Sequence, residues 1–185
     1  MGRCFMDEER TEEMGYHLEG IAFGLADGII CCLGLIIGFA EATNDTYMVI
    51  VAGVIGGIAN AFGNSIGFYM SQSAERGLQI HGIEEYRVQT RVHSKREIVL
   101  NSFLAFAFSI IAVLALLLPF AFLDMAHSTT LTFLLGTLLS FSLGGYVGKI
   151  SREGQFKTGL KYALLAVAGA AISHLMGDVL KALLS

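Results

Sequence analysis

The chain has 185 residues, of which 54% are hydrophobic and 15% charged, with 22 glycines, one proline and no tryptophan. A soluble domain carries about 25% charged residues, so this composition, with a mean hydropathy of +0.63, excludes an ordinary water-soluble enzyme, a disordered tail and a disulfide-rich secreted module. A net charge of −4 argues against a nucleic-acid partner, which needs a basic face, and Cys4, Cys31 and Cys32 form neither a paired framework nor a CxxC zinc site.

The N-terminal arm carries Asp7, Glu8, Glu9, Glu12 and Glu13. Acids ahead of the first apolar run, instead of a basic region, argue against a cleaved signal peptide. Five apolar runs follow, at 20–40, 48–70, 99–123, 129–148 and 162–184, each close to the roughly 20 residues needed to cross a bilayer core. The connections are short, so a single transmembrane domain over 1–185 is expected, and bare backbone cannot face lipid. The expected fold is therefore all-α: a polytopic membrane bundle of five transmembrane helices, with lipid as its surroundings. The segment 71–97 lacks proline and reads as a helical loop, in which 83–97 forms a charged helix feeding the third span, with Arg87 beside Glu84 and Arg91.

Lys and Arg gather in the arm (Arg3, Arg10), in the segment after span two (Arg76, Arg87, Arg91, Lys95, Arg96) and after span four (Lys149, Arg152, Lys157, Lys161), whereas 41–47 and 124–128 have none. The positive-inside rule then puts the N-terminus and both basic loops in the cytoplasm and the C-terminus outside.

Span one carries Gly20, Gly24, Asp27, Cys31, Gly34 and Gly38 at offsets 0, 4, 7, 11, 14 and 18, and span two repeats this with Gly53, Gly57, Asn60, Asn64, Gly67 and Ser71. At about 100° per residue each set falls on one narrow face, small at its ends and polar in its middle. Small residues let helices approach closely in lipid, and such a face in each of two helices predicts a twofold dimer with span one at its interface. Asp27 is the sharpest signal, because a charged Asp at a helix centre costs about 3 kcal/mol and is tolerated where it meets a partner, a cavity or an ion. Two readings stand: a hydrogen-bonded structural acid, or an ion ligand and proton carrier. Asn60 and Asn64 offer amide oxygens suited to hard cations, and Cys31 a sulfur suited to softer ones, while interhelical hydrogen bonding and small-residue packing explain the same three residues. In span five, His174, Asp178 and Lys181 read as a pairing near the outer surface, with a proton-exit role as the sharper alternative. Ser109, Ser142 and Ser173 can bond back to their own helices and need no function. Glu19, Glu75, Glu84 and Glu85 read as solvated faces, and His81 and His93 match no metal-ligand spacing.

The run Leu25-Ala26-Asp27-Gly28-Ile29-Ile30 followed by Leu33-Gly34-Leu35-Ile36-Ile37-Gly38 resembles the first-helix signature of the vacuolar iron transporter family. Ala59, Ala61, Gly67, Tyr69, Ser71 and Ser73 are similar to its second-helix signature, and Leu117-Leu118-Pro119, Phe133-Leu134-Leu135-Gly136 and Ala170-Ala171-Ile172-Ser173 continue the likeness through the remaining spans. The resemblance implies a homodimer that moves ferrous iron or manganese out of the cytoplasm in exchange for protons, along a path between subunits lined by the first two helices. Asp27 falls on the family's intramembrane Asp. The path methionine falls on Asn64, an acid two turns earlier on Gly56, and the Glu of the usual Gly-Glu-Tyr on Phe68. The large acidic metal-binding domain that some members place between spans two and three does not fit in 71–97. Amide oxygen in place of thioether sulfur at Asn64 favours a harder ion such as manganese.

The expectation is thus a metal-homeostasis transporter, not an enzyme, with Asp27, Asn64, Asn60 and Cys31 as the metal path and no resident cofactor. Its membrane is the plasma membrane in a prokaryote or a vacuolar-type membrane in a eukaryote. Two other classes compete: a scaffold that kept the fold without transport, and an intramembrane aspartyl protease using Asp27 and Asp178. Leu175 and the Pro119-Phe120 step depart from the patterns such proteases resemble.

Overall fold

The computed structural model describes the backbone of residues 2–86 and 91–184, and side chains over 18–86 and 91–183. Among the described residues there is no strand. Five long helices follow in order: α1 Gly2–Thr43, α2 Thr46–Tyr86, α3 Lys95–Leu117, α4 Met125–Ile150 and α5 Gln155–Leu184, with a 3-10 turn at Leu118–Ala121. Each contains a stretch long and apolar enough to cross a membrane; this is an integral membrane protein.

Local chemistry explains where the helices stop. Between α1 and α2, Asn44 takes the left-handed conformation (φ 49), which Asn tolerates better than most residues. The Asp45 carboxylate then accepts the backbone N–H of Tyr47 at 2.8 Å, satisfying an orphan donor at the start of α2. Ser94 and Glu97 form a reciprocal capping box at the start of α3, at 3.1 and 2.9 Å, and the guanidinium of Arg91 donates to Glu97 at 3.0 Å. This corrects the expected continuous helix over 83–97: α2 ends at Tyr86 and residues 91–94 are not helical. A Ser-x-x-Glu box competes with helix propagation by offering the backbone a better-satisfied start. Arg87, placed beside Glu84 and Arg91 from sequence, lies outside the described residues. His93 is buried against α2, where Arg76 donates to its carbonyl at 2.9 Å, its own N–H reaches Gln79 at 3.0 Å and its ring lies 3.5 Å from Glu75.

Helix α1 is central and packs against all four others. Gly20 and Gly24 lie so close to α3 that an added Cβ would sit 2.3 Å from the carbonyl oxygens of Asn101 and Ala105, and at Gly28 it would meet the Ser109 Cα at 2.9 Å. Such contact is open only to residues without a side chain. Further along, Gly34 and Gly38 face Ser173 of α5, and Gly177 of α5 faces the Gly38 carbonyl. The one stripe read on span one is therefore divided among neighbours, because helices that cross at an angle each cover only a few turns of a straight face. Leu33, Ile36, Val49, Val113, Leu116 and Ala166 form the centre of the apolar core.

Candidate functional site

Helix α2 runs antiparallel to α1, which brings residues of the two helices opposite each other in pairs: Glu19 meets Gln72 at 3.1 Å, Phe23 stacks on Phe68 at 5.2 Å, and Asp27 meets Asn60 and Asn64. All four residues singled out for the metal path come together. The Asn60 amide donates to Asp27 Oδ2 at 2.8 Å, Asn64 Nδ2 donates to the same oxygen, and the Cys31 thiol donates to Oδ1 at 3.4 Å. Asp27, Asn60 and Asn64 are half-buried and Cys31 is exposed, so the cluster opens on the flank of the bundle between α1 and α2.

A fifth residue belongs here that sequence reasoning set aside. Ser109 of α3 does not bond to its own helix: its hydroxyl donates across to the Gly24 carbonyl of α1 at 3.0 Å and accepts from Asn64 Nδ2 at 3.2 Å. The signal that could have found it is its isolation, as the single polar residue in the run 103–123. Ser142, by contrast, bonds back to Leu138 at 2.8 Å.

One carboxylate, two amides and a thiol make a small, mixed donor set. Carboxylate and amide oxygens suit hard divalent cations, and the thiol suits softer ones. Among the described residues no three of His, Cys, Asp or Glu stand close enough to hold a metal, so a cation at Asp27 would need ligands beyond Asp27 and Cys31, from the amides or from water.

The residues of span five lie elsewhere, where α5 meets the end of α1. His174 sits 3.2 Å from Glu41 and 3.9 Å from Asp178, and Lys181 reaches Glu41 at 3.5 Å. Of the two pairings expected for Asp178, the one with His174 is present, while Lys181 pairs with Glu41 instead, and the cluster ties α1 to α5. A lateral groove of about 620 Å³ between these helices, lined by Gly34, Gly38, Phe39, Met176 and Leu180, does not include Asp27.

Residues 18–101, which carry the whole cluster short of Ser109, match the VIT family, a family of metal-ion transporters. An uncharacterized protein of Methanocaldococcus jannaschii is 27% identical over 167 residues, covering 84% of this chain and 86% of the relative.

Proposed function

We propose, from the membership of the vacuolar iron transporter family that this match supports, that the protein exports a divalent transition-metal cation from the cytoplasm in exchange for protons. The observation that carries the reading is the half-buried Asp27 carboxylate, held within a membrane span by amides of the neighbouring helix and facing an open flank. An acid in that position is retained at a cost of about 3 kcal/mol unless it is matched by an ion, a proton or a partner.

In this mechanism Asp27 alternates between cation and proton. The cation enters from the cytoplasmic side, displaces an amide hydrogen bond on the carboxylate and takes amide oxygen as further ligand. On the far side a proton replaces it, neutralising Asp27 for the return. Amide ligands, with no thioether at Asn64, favour Mn²⁺ over Fe²⁺ among the two cargoes.

The path is shared between two copies. A polar cluster facing hydrocarbon is costly, and one turn to either side of Asp27 on α1 Phe23 and Cys31 are exposed, a flank that a second copy would cover together with Asp27. Gly34 and Gly38 already pack on α5, so Cys31 is the better reporter of this contact than a cysteine placed at either glycine. The membrane concerned is the plasma membrane in a prokaryote and a vacuolar-type one in a eukaryote.

The deciding experiment is a flux assay in proteoliposomes across Fe²⁺, Mn²⁺, Co²⁺, Zn²⁺ and Ca²⁺ with an imposed pH jump. Metal uptake that follows the proton gradient is expected, and its loss in Asp27→Asn, which is nearly isosteric with the protonated acid. Tight vesicles with no flux of any ion would leave the non-transporting scaffold as the reading.

A further inference from the structure

The two asparagines look interchangeable in sequence, one turn apart on the same face of α2, yet their hydrogen bonds differ. Among the described residues the Asn64 side chain makes two hydrogen bonds, both from Nδ2, one hydrogen going to Asp27 and the other to Ser109 Oγ at 3.2 Å. The Ser109 hydroxyl donates its own hydrogen to the Gly24 carbonyl at 3.0 Å, so towards Asn64 it can only accept. Turning the Asn64 amide over would set its Oδ1 against an Asp27 oxygen and break the Ser109 to Gly24 bond as well. Among the described residues the Asn60 side chain makes one hydrogen bond, from Nδ2 to Asp27 at 2.8 Å. A cation arriving at Asp27 replaces that bond, and the amide can turn its carbonyl oxygen towards the ion at no further loss.

We infer that Ser109 divides the pair into an anchor and a ligand: it locks the Asn64 amide as a hydrogen-bond donor to Asp27, leaving Asn60 as the side chain that supplies amide oxygen to the cation. Ser109 is a positioning residue, acting through Asn64. The inference rests on the proposed cation site at Asp27 and assigns its ligand. It also separates two residues that the sequence offers alike as ligands, and moves the ligand role away from Asn64, on which the resemblance places the path methionine.

The test is Mn²⁺ affinity of the purified full-length protein, read from the free-ion signal in electron paramagnetic resonance. Asn60→Ala is expected to weaken binding about tenfold, and Asn64→Ala by less than about threefold. In a Ser109→Ala background the Asn64 amide is free to turn, so adding Asn60→Ala is expected to cost less than about threefold. A merely structural role for Ser109 leaves the Asn60→Ala loss unchanged. Equal losses in the two asparagine variants, with wild-type binding intact, would overturn this inference alone, and they decide the point even if Ser109→Ala fails to fold. Absence of Mn²⁺ binding by the wild-type protein would overturn the cation site and this assignment together.

Discussion

Two neighbouring rows of α1 have opposite fates. Gly20, Gly24 and Gly28 are sealed against the backbone of α3, while Asp27 and Cys31 stand on the open side facing α2, with Cys31 exposed. The glycine row is closed by direct van der Waals contact between helices, which leaves no freedom. The polar row is held by hydrogen bonds, which can be exchanged for a cation or a proton. Ser109 links the rows, since it bonds the Gly24 carbonyl on one side and Asn64 on the other. A rigid contact thereby sets the geometry of an exchangeable one.

The comparison can be broken most severely at the closed row. Gly24→Leu places a Cβ 2.3 Å from the Ala105 carbonyl oxygen, and is expected to cost about 3 kcal/mol, read as loss of a monodisperse particle and a lowered unfolding temperature. Gly67 of α2 has no atom within 4 Å of an added Cβ, so Gly67→Leu is expected to change protomer stability by no more than about 0.5 kcal/mol. The open row gives the opposite phenotype. Asp27→Asn should keep the unfolding temperature or raise it, because a costly charge is removed, while abolishing proton-coupled flux. Wild-type flux in that variant would sink the mechanism.

Smaller effects come from the far end of the bundle. Glu41→Gln removes the charge that faces both His174 and Lys181, and a loss of about 0.5 kcal/mol is expected, shrinking as salt is added. The smallest effect is at Asp124, whose carboxyl is held below its usual value by a hydrogen bond from His127, at 2.6 Å. A depressed carboxyl stabilises the fold above its unfolded pKa, and that contribution disappears as pH falls through its folded value. Wild type and Asp124→Asn should therefore differ slightly at neutral pH and converge in acid thermal scans below about pH 4. A gap that widens in acid would contradict the assignment.

Much of this molecule was legible in its residues, because lipid imposes a simple rule. Each spanning segment must satisfy its own backbone, so five apolar runs become five helices. The pairing of Asp27 with Asn60 and Asn64 was within reach for a related reason: matching offsets on two helices joined by a two-residue turn fall opposite each other when the helices run antiparallel. The break before α3 was also written locally, in Ser94 and Glu97, but a charge pattern that suits a solvated helix hid it. What the sequence could not decide was which neighbour each part of a face meets. A helical wheel treats Gly20, Gly24, Asp27, Gly34 and Gly38 as one line, whereas α3 covers its first turns, α2 its polar middle and α5 its end. Likewise Ser109 has no partner in its own sequence neighbourhood; its role exists only because Gly24 lets α3 approach α1 closely enough for a hydroxyl to reach across. Apolar length and backbone satisfaction are one-dimensional and can be read along the chain. Crossing angle and close approach depend on several helices at once, so tertiary structure alone made Asn60 and Asn64 unequal.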